Sequence, residues 1–120
     1  MKPYLRAEVA FIAGTLVSGK KSSSIYDYSE GKFVMFSGNA NKDNVSVYNH
    51  DRGYFITGNG NHSQYSLYHY GDGHFLNLKI KGDKFDGYDY GSGSFFNGTV
   101  KGSSVTLYDF EVGSFFHYSI

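Results

Sequence analysis

The sequence predicts an all-β protein: an antiparallel meander of five β-hairpins of about 20 residues each plus an N-terminal strand, curled into a barrel or a two-layer sheet. Three observations carry this. Tyr26, Tyr48, Tyr68, Tyr88 and Tyr108 are each followed five residues on by glycine (Gly31, Gly53, Gly73, Gly93, Gly113) and seven on by phenylalanine (Phe33, Phe55, Phe75, Phe95, Phe115), a period of 20 residues, 22 in the first copy. A fixed period means that each copy is one supersecondary unit burying its apolar face against its neighbours. Within each copy, apolar residues alternate with period two, as in Val45 and Val47 or Val105 and Leu107, which is strand and not helix periodicity. Finally, 23 phenylalanines and tyrosines and 16 glycines stand against one proline; aromatic residues suit a pleated surface and glycine marks turns.

The elements follow in order. Residues 5–18 read as a first strand, because Phe11-Ile12-Ala13-Gly14-Thr15-Leu16 matches Phe95-Phe96-Asn97-Gly98-Thr99-Val100 almost position by position. Both faces of that segment are apolar, as expected of a strand buried on both sides. The hairpin repeats span about 22–41, 44–61, 64–81, 84–101 and 104–120, all in one domain, 1–120. In each, the glycine before the second strand supplies the positive φ that a tight turn needs. Gly82-Asp83, His62-Ser63 and Gly102-Ser103 read as two-residue connections between repeats. Eleven strands result, and an up-and-down sheet of odd number closes only through a parallel seam.

Loop length sets the faces. A loop of two or four residues gathers Val45, Val47, Ile56, Leu67, Leu76, Leu78, Phe85, Phe96 and Leu107 on one side, whereas a three-residue loop with a bulge mixes the sides. The first register gives one coherent core face and is preferred. It leaves fifteen side chains on the other face, from Tyr26, Tyr28 and Phe33 to Tyr108, Phe110 and Phe115, of which fourteen are Phe or Tyr and one is His50. These rings are either core, if the sheet curls around them, or a surface row built for a ligand.

Zero formal charge, with 11 basic and 11 acidic residues scattered along the chain, gives no basic stripe, so neither nucleic acid nor a membrane is expected as partner. Absence of cysteine removes disulfides and thiolate chemistry. With no secretion signal or membrane-spanning stretch visible, a cytoplasmic location is expected.

Asp27, Asp89 and Asp109 share one repeat position with Asn49 and His69; carboxylates there are expected to bond turn N–H groups and not to act as acid and base. His69, Asp72 and His74 flank one turn, which reads as a solvated hairpin end. No catalytic residue, metal or cofactor is assigned. If the rings face outward, Tyr48, Tyr68, Tyr70, Tyr88, Tyr90 and Tyr108 with Asn77 and Asn97 are the expected ligand-binding residues. Flat rings suit the C–H faces of sugars while polar neighbours fix orientation, so the expected function is a non-enzymatic, lectin-like binding module. The alternative is a self-assembling structural or protein-interaction repeat, a homo-oligomer, supported by an unguarded last strand, Ser114–Ile120. The turn Gly53-Tyr54-Phe55 resembles choline-binding and glucan-binding repeats of bacterial surface proteins, which cage their ligand with tryptophan, a residue lacking here. The Gly- and Tyr-rich hairpins are also similar to membrane-occupation-and-recognition-nexus repeats.

Overall fold

Residues 5–18, expected as a strand, lie within the single helix of the fold, α1 (Pro3–Ser18). The computed structural model describes all 120 residues. Proline opens α1, and Gly19 closes it in the left-handed region (φ 71°), its N–H donating to Thr15 O at 2.9 Å; both are ordinary helix punctuation. The strand reading failed because a segment apolar all round carries no usable period. A 16-residue run rich in Ala and Leu between Pro and Gly is too long for a buried strand and suits a buried helix.

Removing that strand leaves ten: β1 (Ser24–Asp27), β2 (Lys32–Ala40), β3 (Asn44–Asn49), β4 (Tyr54–Gly60), β5 (Gln64–His69), β6 (His74–Lys81), β7 (Lys84–Asp89), β8 (Ser94–Lys101), β9 (Ser104–Asp109) and β10 (Ser114–Ser119). An even number closes antiparallel, and β1 pairs with β10 to complete a barrel. The parallel seam expected from eleven strands is therefore unnecessary. The closing seam is short, pairing Tyr26 with Ser119 and Asp27 with Tyr118, extended by one bond from Tyr28 N–H to His117 O. Because β10 is paired on both sides, Ser114–Ile120 is not the open edge that the self-assembly argument assumed.

The register is the preferred one. Tyr48 faces Phe55 and Asn49 faces Tyr54, so each repeat turns through four residues such as His50–Gly53. Gly53 sits at φ 76° and Gly93 at φ 70°, a conformation glycine adopts at no steric cost. Inward-facing Val47, Ile56, Leu67, Leu76, Leu78, Phe85, Phe96 and Leu107 are buried together with Leu5, Val9, Phe11, Ile12 and Ala13 of the helix. Eight strands enclose just enough room for side chains; ten admit a helix along the axis, and Phe11 stacks on Phe36 of the wall with centroids 4.3 Å apart. Where the helix meets the wall, or neighbouring strands crowd each other inside it, the side chain disappears. A Cβ on Gly14 would lie 3.0 Å from both Ile120 and Val105, and one on inward-facing Gly98 would overlap the Phe85 ring and the Thr106 carbonyl.

Candidate functional site

With the axis filled by α1, the rings of the opposite face have nowhere to go but outward. Each repeat forms the same three-ring cluster: the anchor tyrosine, the residue two positions on and the phenylalanine across the turn. Centroids lie 4.7–5.1 Å apart at interplanar angles of 62–81°, the edge-to-face geometry that ring quadrupoles favour. The anchor tyrosine is half-buried between its two partners, which stand in solvent; in the fourth repeat Tyr90 is 58% and Phe95 63% exposed. Anchor hydroxyls reach over the turn glycines, so that a Cβ on Gly93 would lie 3.7 Å from Tyr88 Oη. Each turn thus needs glycine for its backbone and leaves the hydroxyl open.

The expected ligand-binding residues are distributed over this belt. Tyr48 clusters with His50 and Phe55, Tyr68 with Tyr70 and Phe75, Tyr88 with Tyr90 and Phe95, and Tyr108 with Phe110 and Phe115. Asn77 lies beside Tyr88 on the neighbouring strand and its Nδ2 donates to Tyr90 Oη at 3.3 Å; Asn97 lies beside Tyr108. Between the third and fourth hairpins, an open groove of about 500 Å³ brings Tyr88, Phe95 and Asn77 together with Gln64, Lys79 and Asp86. Lys79 was expected on the polar fringe of this face, whereas Gln64 and Asp86 were not singled out from the sequence. Their signal was available in the alternation, since Asp86 shares the outward parity of Tyr88 and pairs with Lys79.

A second constellation lies at the rim where α1 enters. The last residues of the five first strands, Asp27, Asn49, His69, Asp89 and Asp109, all point inward and are buried. Each accepts turn N–H groups: Asp27 from Ser29 and Glu30, Asn49 from Asp51 and Arg52, His69 from Asp72, Asp89 from Gly91 and Ser92, and Asp109 from Glu111. The turn role expected from the sequence is what the geometry displays. The same side chains also hold the helix. Glu8, fully buried, accepts from Asn49 Nδ2 and from His69 Nε2, both at 2.6 Å. Arg6 donates to Asp109 Oδ2 at 3.1 Å and to Met1 O at 2.7 Å, and its guanidinium lies 3.7 Å from the Phe116 ring centroid. The amino terminus pairs with Asp109 and Glu111.

Around His69 the rim is densest. Tyr4 of the helix stacks on His69 and its hydroxyl donates to Asp72 Oδ1 at 2.5 Å. Burial and the Asp72 carboxylate push the Tyr4 hydroxyl up to about 12. For Asp72, burial alone acts upward, but the Tyr4 hydrogen bond and the nearby His69, Lys2 and His74 outweigh it and hold the carboxyl below its ordinary value.

The zero net charge hides a polarity. Exposed Glu30, Asp51 and Glu111 join the inward carboxylates at this rim and outnumber its Lys2, Arg6, Lys32 and Arg52, while Lys20, Lys21, Lys42, Lys81, Lys84 and Lys101 gather at the opposite one, where α1 ends, and outnumber its Asp43 and Asp83. No helix is long and apolar enough to cross a membrane. No protein-family model, curated protein or solved structure matches the chain.

Proposed function

We propose that this chain is a non-enzymatic binding module that holds carbohydrate on its aromatic belt, with the groove of Tyr88, Phe95, Asn77 and Asp86 as its best-formed station. One observation carries the reading: the belt rings are kept outside a core already filled by α1. An ordinary monomer exposes an apolar patch of about 300–600 Å² at most, and nine Phe or Tyr side chains of this belt stand largely in solvent. Flat rings bordered by amide, carboxylate and ammonium groups match a sugar's apolar face and its hydroxyl edge. Five equivalent stations around one barrel suit a repeating polysaccharide, because linked weak sites raise avidity by about 10²–10⁴-fold.

A glycan array tests this. Reproducible binding to a defined set of sugars is expected, strongly weakened by Tyr88→Ala combined with Tyr68→Ala, which removes two of the five stations and with them much of the avidity. An array without signal, or one indifferent to these substitutions, refutes it. The two tyrosines take part in four ring pairs of about 0.5–1.5 kcal/mol each, so circular dichroism of the double variant establishes that it is folded before its loss of binding is read.

The charge polarity favours self-assembly as a second reading. An acidic rim meeting the lysine rim of the next copy is a head-to-tail contact, and such contacts propagate into open chains unless a rotation closes them. Mass growing with concentration in light scattering and collapsing with added salt supports it; a constant monomer mass removes it.

A further inference from the structure

We propose that His69, Asp72 and His74 bind one divalent transition-metal ion of the zinc class. The sequence shows these residues only as neighbours of one turn. In the fold, His69 and His74 are paired across β5 and β6 with rings stacked at 5.7 Å. Asp72 Oδ2 lies 3.7 Å from His69 Nδ1 and 3.6 Å from His74 Nε2. All three ligand atoms fall within 4.8 Å of one another. A tetrahedral ion with bonds of about 2.0–2.2 Å holds its ligand atoms roughly 3.3–3.6 Å apart, so two of the three edges are already near length.

The surroundings orient each ligand toward that common point. His69 Nε2 donates to Glu8 at 2.6 Å, which places the lone pair on Nδ1, where it accepts the Asp72 N–H at 3.0 Å; an ion takes over that lone pair. His74 Nδ1 is buried without a hydrogen-bond partner and lies 3.4 Å from Asp89 Oδ1. A proton on Nδ1 faces that carboxylate and frees Nε2 toward Asp72. The second oxygen of Asp72 is occupied by the Tyr4 hydroxyl. Each of the three ligands thus has a partner on its far side, as metal-binding histidines and carboxylates characteristically do. The charge fits as well, since the carboxylates of Glu8, Asp72 and Asp89 converge here. Lys2, 3.8 Å from Asp72 Oδ1, is largely exposed and free to swing away. The fourth position opens on a cleft of about 560 Å³ lined by Lys2, Gly91, Ser92 and Glu111, leaving room for a water or a ligand atom.

The test is calorimetric titration of the chelator-treated full chain with zinc chloride, alongside NMR of the histidine side chains. One ion per chain is expected, with ring resonances of His69 and His74 shifting while those of His50, His62 and His117 stay. His74→Ala abolishes binding, and Asp89→Asn, which among the three ligands reaches only the far nitrogen of His74 and whose amide oxygen can still accept the Gly91 and Ser92 N–H groups, weakens it by about 10–100-fold. His74 is partly exposed, so its variant stays folded, which circular dichroism checks. Absence of a binding heat, undiminished binding by His74→Ala, or shifts confined to the exposed histidines overturns the proposal. In those cases His74 is a structural neighbour of Asp72 and Asp89 at the rim and nothing more.

Discussion

Replacing Glu8 by alanine tests how the helix is held in the barrel. The carboxylate is fully buried and accepts two hydrogen bonds of 2.6 Å, from Asn49 and from His69. Alanine leaves both donors buried without an acceptor, and each such orphan costs about 1–3 kcal/mol, which for the two centres on about 4 kcal/mol. The expected loss is therefore about 3–5 kcal/mol, out of roughly 6–18 kcal/mol for a chain of this length. With an unfolding entropy of about 2.1 cal/mol/K per residue, the melting temperature falls by about 4 °C per kcal/mol, or roughly 12–20 °C. Urea denaturation reads the loss directly, with an unchanged slope showing that the same surface unfolds. Glu30→Ala, at an exposed turn position, is the control and changes stability by less than about 0.5 kcal/mol. A Glu8→Ala loss under about 1 kcal/mol refutes the idea that the rim clasps the helix through this residue.

Two further expectations follow from the same geometry. Gly98→Ala places a Cβ against the Thr106 carbonyl and the Phe85 ring, and overpacking of this kind costs about 1–3 kcal/mol; an unchanged denaturation midpoint contradicts the fit described for the inner wall. Tyr4, raised from 10.0 to about 12 in the fold, binds its proton more tightly folded than unfolded, so its stabilisation is complete below pH 10 and is lost as pH rises from 10 to 12. Asp72 is displaced the opposite way, so its contribution is present above its unfolded value of 3.8 and disappears as pH falls through the lower folded value. Denaturation midpoints followed from pH 9 to 12 should fall less steeply for Tyr4→Phe than for the parent, and equal slopes refute the assignment.

The hairpins were legible because their signals are local. Alternation along each strand favours an even loop because only that gathers one apolar face, and the four-residue turn found in the fold sorts Val47 and Ile56 inward from Tyr48 and Phe55. The turn role of Asp27, Asp89 and Asp109 was legible for the same reason. Residues 5–18 were not, because their apolar residues surround the helix axis and leave no stripe to betray a period. That one error hid the rest. Without a helix on the axis there was no means of deciding whether the rings fill the barrel or clothe it. The partners of the rim, Glu8 with His69 and Arg6 with Asp109, are 61 and 103 residues apart in sequence, linked only by the threading of α1.

Ring-proton relaxation in the presence of a soluble paramagnetic probe tests that arrangement most directly. If α1 fills the barrel, the resonances of Phe33, Phe55, Phe75, Phe95 and Phe115 broaden strongly while those of Phe11, Phe36, Phe85 and Phe96 are spared. Protection of the first set together with broadening of the second would place the belt inside and the helix out of the barrel, and the account would fail.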